Sequence, residues 1–247
     1  MWTAAALFKV TENVALYYSH STNSAPTIAN NLPLWRDGVQ DEFGFKTEFF
    51  NQRLAFNASY FEISQTNVTV PNPDRQTNPT APEQIVQDLN NHGYELELTG
   101  GLTPNLSIMA SYSDLKMRDS LGRHVRAVAD RTASLLLNYR FRDDRLNGLS
   151  IYGGVSYSGR RAGDTPVNYM PAPYNTVIGK TSFFLEPYSV TTVGGTYRWK
   201  DKYTFRLVID NVLDDKGYIQ QAGGRVSGTG ITTAPGINVK FSTTVSF

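Results

Sequence analysis

A chain of 247 residues, 40% hydrophobic and 18% charged, is long enough for one large domain. Lys and Arg total 23 against 22 Asp and Glu, a net charge of +1 that gives no basic footprint for nucleic acid. No run approaches the roughly 18 apolar residues of a membrane helix, and with 0 Cys there is no disulfide framework, zinc ribbon or thiol nucleophile.

The presence of 20 Gly, 14 Tyr and 13 Phe favours strands and turns over helices. Met1 to Leu7 has neither a basic n-region nor a long apolar stretch, so it does not read as a secretory signal peptide.

Period-two alternation then recurs along the chain. Phe43, Phe45 and Phe49 oppose Lys46 and Glu48. Tyr94, Leu96 and Leu98 oppose Glu95 and Glu97, and Leu106, Ile108, Ala110 and Tyr112 follow in step. Ala133 to Phe141, Leu149 to Tyr157 and Tyr203 to Asp210 alternate in the same way. The last such run sets Ile237, Val239, Phe241, Thr243, Val245 and Phe247 against Asn238, Lys240, Ser242, Thr244 and Ser246.

A soluble sandwich would bury the apolar face, whereas a membrane barrel turns it to lipid and keeps the polar face toward a wet lumen. The connections separate the two. Short ones fall at Thr11 to Asn13, Asn51 to Arg53, Thr103 to Asn105, Arg142 to Gly148 and Lys200 to Lys202. Long ones fall near 21–40, 69–89, 119–127, 163–183 and 216–235. Short–long alternation places every long loop on one side, the outer-membrane pattern. Phe8, Phe49, Phe50, Phe141, Trp199 and Tyr203 beside the short turns fit an interfacial aromatic girdle. The expectation is an all-β, antiparallel transmembrane barrel wall of about eleven strands. An odd count puts Met1 at the extracellular end and Phe247 at the periplasmic end, which reads as a chain that starts partway round a barrel.

Six segments, in order, resemble the C-terminal half of TonB-dependent siderophore receptors of the bacterial outer membrane. They are Glu12 to Ser21; Asp41 to Glu48 with Arg53 to Phe61; Gly93 to Gly100, running on to Ser113; Gly148 to Arg161; Asp210 to Tyr218; and the terminal Phe247. The resemblance spans essentially residues 1–247 and implies half of a barrel of about 22 strands. The plug domain, its TonB-binding box and the N-terminal barrel strands are expected to lie outside this sequence. It further implies a ferric siderophore as transported ligand, the TonB complex as a partner reached through that plug, and Phe247 as a signal to the outer-membrane barrel-assembly machinery. The lipid bilayer is the remaining partner, and neither catalytic residues nor a resident metal or other cofactor is expected.

Lys46, Glu48, Glu95, Glu97, Arg140, Arg206 and Asp210 fall on the parity away from lipid, where cross-strand ion pairs or plug contacts would occupy them. For ligand capture the outer loops present Trp35 and Arg36, Arg160 and Arg161, Tyr169, Tyr174, and Tyr218 with Gln220 and Gln221. Aromatic faces and guanidinium donors suit a bulky anionic chelate. Gly179-Lys180-Thr181 lacks the first glycine of a phosphate loop, and Ser113 and Lys116 would point to opposite faces of a strand. His20, His92 and His124 lack metal-ligand spacing and belong at the solvated outer rim. The alternative is a small self-contained outer-membrane pore or enzyme barrel, which would need either closure or a Ser–His or Asp–His constellation.

Overall fold

In the computed structural model the described residues are 1–76, 78–164, 179–181, 183–222 and 230–246. The strands are β1 (Trp2–Thr11), β2 (Val14–Ala29), β3 (Leu32–Phe49), β4 (Leu54–Pro71), β5 (Gln84–Gly101), β6 (Leu106–Asp119), β7 (Arg131–Arg140) and β8 (Leu149–Ser158). They continue as β9 (Arg161–Ala162), β10 (Phe184–Leu185), β11 (Tyr188–Trp199), β12 (Tyr203–Asp210), β13 (Tyr218–Ala222), β14 (Gly230–Thr233) and β15 (Asn238–Val245). One 3-10 turn covers Pro73–Gln76.

Eleven strands form a single antiparallel meander in the order β1-β2-β3-β4-β5-β6-β7-β8-β11-β12-β15, while β9 pairs with β10 and β13 with β14. Each strand of the large sheet pairs with its sequence neighbour or reaches it past one excursion, which is the up-and-down topology the alternation predicts.

Register fixes the two faces. Leu16 pairs with Phe45, Phe45 with Ala58, Ala58 with Leu96 and Leu96 with Tyr112, a continuous apolar row. On the other parity Lys46 pairs with Asn57, Asn57 with Glu97 and Glu97 with Ser111. The apolar side chains are the exposed ones: Phe8 is 69% accessible, Phe43 59% and Phe241 68%. A soluble sandwich would hide them, so this face meets lipid.

Charges on the apolar parity gather toward the long-loop end. His20 pairs with Asp41, Asp41 with Glu62, Glu62 with His92 and His92 with Lys116. Immediately below them the Tyr18 hydroxyl donates to Asp41 at 2.6 Å and the Tyr60 hydroxyl to Glu62 at 2.6 Å. Tyr18 packs on Phe43 at 4.7 Å and Tyr60 on Tyr94 at 5.2 Å. This second aromatic row, its hydroxyls reaching upward, marks where hydrocarbon gives way to headgroups. At the short-turn end Trp199 with Tyr203 and Tyr139 with Phe141 form the opposite girdle.

The connection expected near 69–89 shrinks to 72–83, since Thr69 pairs with Val86 and Pro71 with Gln84, and the one expected near 21–40 differs more. Residues 21–40 are not a long loop: β2 and β3 continue to a two-residue turn at Asn30-Asn31, with φ of 48° and 65°. Both values lie in the left-handed region that suits a type I′ hairpin, and asparagine tolerates it. Asn30 then exchanges backbone and side-chain bonds with Gln84 at 2.8–3.3 Å, tying this hairpin to the start of β5.

Candidate functional site

The lumen wall and the long-loop end together form the polar surface on which a ligand would act. On the wall, Tyr17, Glu42, Lys46, Glu95 and Glu97 line a recess of about 490 Å³ with Asn57, Ser111 and Ser113. The Tyr17 hydroxyl donates to Glu42, and the Lys46 ammonium sits 5.0 Å from the Tyr17 ring centroid. Asn57 donates to Glu97 at 3.4 Å, and Ser111 and Ser134 share a bond at 2.8 Å.

Glycine makes this flat geometry possible. A Cβ on Gly44 would stand 2.3 Å from the Tyr17 ring, so the ring lies across Gly44 on the neighbouring strand instead of projecting into the lumen. Tyr152 lies across Gly194 in the same way, at 2.4 Å from where a Cβ would be. Where β12 reaches the long-loop end, Asp210 accepts from Lys240 at 3.0 Å and from Thr192 at 3.3 Å. Lys46, Glu48, Glu95, Glu97, Arg140, Arg206 and Asp210 all take the lumen parity, as expected.

At the long-loop end two connections meet. Residues 120–130 between β6 and β7 bridge onto β9 through Arg126 with Ala162 and Ala129 with Arg161. Arg161 is 4% exposed, donates to the Ser158 hydroxyl at 2.5 Å and stacks 4.8 Å over the Tyr188 ring. Arg160 remains exposed and lies 4.0 Å over Phe184, whose edge meets His124 at 5.3 Å. Asp130 accepts from Arg118 at 3.1 Å and stands 3.9 Å from His124 Nδ1. Burial, then the Arg118 charge, hold the His124 pKa below its ordinary value, with Arg160 adding to this and Asp130 opposing it.

The expected ligand residues therefore separate. Arg160 displays a guanidinium on an aromatic platform, while Arg161 is a buried support for the loop that carries it. Trp35 lies on β3 with the parity of Phe43 and Phe45, 61% exposed, and its neighbour Arg36 takes the lumen parity. Tyr218, Gln220 and Gln221 lie on β13, where the backbone pairs with β14. Tyr169, Tyr174 and Phe247 lie outside the described residues.

The histidines also separate. His20 is bonded to Asp41 at 2.7 Å and stacked on Trp2 at 4.7 Å, and His124 is held in the loop cluster, so neither is simply solvated. His92 is exposed. Phe184, Tyr188 and His124 were not legible as partners of the arginine pair. No spacing rule links residues 24 to 60 positions apart, and only the arginines beside the Ser158 strand end carried a signal.

The loop after β12 has its own frame. Asn211, 2% exposed and at φ 53°, donates to the carbonyls of Asp215 and Pro235 at 2.9 and 2.8 Å and accepts from the Asp215 amide at 3.0 Å. Asp215 in turn accepts from the amides of Ser189 and Gly217. This is the segment singled out as Asp210 to Tyr218, and its asparagine and aspartate fold the loop back on the sheet.

Residues 1–212 match the family model described as TonB dependent receptor-like, beta-barrel. An uncharacterized TonB-dependent receptor of Haemophilus influenzae is 28% identical over 64% of the chain and 48% of its own length. The ferripyoverdine receptor of Pseudomonas aeruginosa is 24% identical over 86% of the chain and 26% of its own length. The crystal structure of that outer-membrane receptor bound to ferripyoverdine superposes with a TM-score of 0.77 at 23% identity, covering 99% of this chain and 32% of the receptor chain. The chain thus spans about a quarter to a half of the proteins it matches.

Proposed function

Because the chain belongs to the TonB-dependent receptor-like β-barrel family of the outer membrane, we propose that it forms about half of the barrel wall of a receptor that binds a ferric siderophore outside the cell and imports it with energy relayed by TonB. The observation that carries this reading is the pairing of an exposed guanidinium-on-aromatic cluster at the long-loop end, Arg160 on Phe184, with a polar, hydrogen-bonded lumen below it. A ferric chelate brings its own metal and presents anionic and aromatic surface, which such a cluster recognises by stacking and charge-assisted hydrogen bonds.

β1 and β15 are the edges of the eleven-stranded sheet. Unpaired strand edges in lipid cost several kcal/mol per group, so further strands of a longer polypeptide complete the wall. The plug supplied by that polypeptide carries the contact with TonB. Those open edges also disfavour the self-contained pore, and the receptor reading assigns the chain no enzymatic step of its own. Relatives named for pyoverdine and for catecholate siderophores keep the chelate class open.

The test is uptake of radio-iron from a panel of ferric siderophores by iron-starved cells, with and without TonB. Arg160→Ala should lower uptake of the cognate chelate about tenfold, the effect of losing one charge-assisted contact, while outer-membrane levels stay unchanged. Uptake that is independent of TonB, or absent for every chelate while the receptor is present in the membrane, would overturn the proposal.

A further inference from the structure

Two glycine pairs stand at one level of the wall, Gly153-Gly154 on β8 and Gly194-Gly195 on β11. The lumen-facing members are required by the chain itself. A Cβ on Gly154 would meet the Leu135 carbonyl oxygen at 2.8 Å, and one on Gly194 would meet the Tyr152 ring at 2.4 Å.

The lipid-facing members are not. Around Gly153 nothing lies nearer than 3.8 Å to a Cβ, and around Gly195 nothing nearer than 3.4 Å. Both have room for a side chain and neither has left-handed backbone, yet a glycine inside a strand weakens it. The register through both positions is unbroken by a bulge, which leaves the close approach of something outside the strand as a reason for such a residue.

The two outward glycines are diagonal neighbours, since Gly153 pairs with Val193 and Ile151 with Gly195. Their bare backbone forms the floor of a cavity of about 970 Å³ on the outer wall, with Leu135 and Leu137 on one flank and Leu207 and Phe241 on the other. Its lining is almost wholly apolar. Tyr139 and Tyr197 stand at one end, next to the girdle formed by Trp199 and Tyr203. The cavity therefore runs from the headgroup level of the short-turn side up into the hydrocarbon, and is continuous with the lipid-facing belt on both flanks. A smaller outward recess of about 410 Å³ over Ala58 is crowded by Phe43, Phe45 and Tyr94.

We propose that this groove is a binding seat for one acyl chain of a phospholipid of the periplasmic leaflet, its headgroup at Tyr139 and Tyr197 and its chain laid over Gly153 and Gly195. The occupant is hydrocarbon because the groove opens onto the belt that already faces hydrocarbon, its outward lining between the tyrosines and Thr191 at the far end is apolar, and Thr196 and Arg206 take the lumen parity. A phospholipid fits its direction, since the tyrosines that accept an interfacial headgroup lie at one end and apolar residues at the other.

The experiment uses the complete receptor in its own outer membrane, loaded with phosphatidylethanolamine carrying a diazirine near the end of one acyl chain. After irradiation, lipid adducts should concentrate on the peptides that contain 149–158 and 188–199, above those that contain the Ala58 recess. Gly153→Leu, which fills the floor, should abolish that excess while the barrel keeps its heat-modifiable mobility. Should Gly153→Leu fail to assemble, Gly153→Ala together with Gly195→Ala should still reduce it. Adducts spread evenly round the belt, an excess unchanged by the substitutions, or protein–protein cross-links in place of lipid at these peptides would each overturn the proposal.

Discussion

Strands β2 to β6 run for 14–18 residues, whereas β7, β8, β11, β12 and β15 run for only 8–12. A tilted strand needs about 9–11 residues to cross a bilayer. The first group therefore carries paired backbone well past the headgroups, closed by connections as short as Asn30-Asn31. The second stops near the membrane surface and places its extra residues in long excursions that carry β9, β10, β13 and β14. A raised wall of ladder hydrogen bonds is rigid, while loops pinned at a few points can adapt. The half that displays Arg160 on Phe184 is the pinned half, so substitutions in its loops can accumulate without disturbing the wall.

The largest expected effect breaks the wall itself. A Cβ at Gly93 on β5 would come within 2.2 Å of the Asp114 carbonyl oxygen and 2.7 Å of the Leu115 Cα. Backbone cannot retreat as a side chain can, so Gly93→Val should cost more than about 3 kcal/mol and leave no heat-modifiable barrel on gels. Gly153→Ala in the second half meets no such obstacle and should assemble as well as the wild type. Equal assembly of both variants would show that the register between β5 and β6 is wrong.

An intermediate effect tests the pins. Asn211→Ala removes a buried side chain that bonds three backbone groups, and should cost about 1–3 kcal/mol, confined to the excursion after β12. Protease nicking within 211–237 should rise while the barrel remains folded. Asn30→Ala, whose bonds to Gln84 are exposed, should cost less than about 1 kcal/mol. If both variants nick alike, the two halves are held no differently.

Much of this architecture was legible because a barrel wall repeats one rule. Parity alone placed Lys46, Glu95 and Glu97 in the lumen and Phe43, Tyr94 and Phe241 on the lipid side, and the five short turns came where charged and polar residues interrupt the alternation. The sequence misled where polarity stood in for looseness. The polar stretch around Ser24 and Asp37 continues as paired strand, with a side-chain bond between those two residues, because paired backbone above the membrane needs no apolar face. Trp35 followed it onto the outer parity. The mouth was least legible. Arg160 and Arg161 are adjacent and chemically alike, yet one faces solvent and the other supports the loop, a difference made by Phe184 and Tyr188 from another connection. Only tertiary packing could tell them apart.

The smallest predicted effect concerns the same junction. His124 packs against Phe184 among Arg118, Asp130 and Arg160, and its pKa lies below the ordinary histidine value. The opened loop, with the ordinary value of about 6.5, then takes up a proton before the packed one does. Stability of the packing is accordingly full above that pH and falls as pH drops through it, until the depressed value of the packed state is reached and both forms are protonated. The hydrogen-exchange protection of residues 120–130, once the intrinsic slowing of amide exchange at lower pH is divided out, should therefore fall between pH 7.5 and 5. His124→Gln should flatten the dependence and leave that of β2 to β6 unchanged. Because Asp130 opposes the two arginines, Asp130→Asn should steepen it, separating a charge effect at this loop from general acid loosening of the barrel.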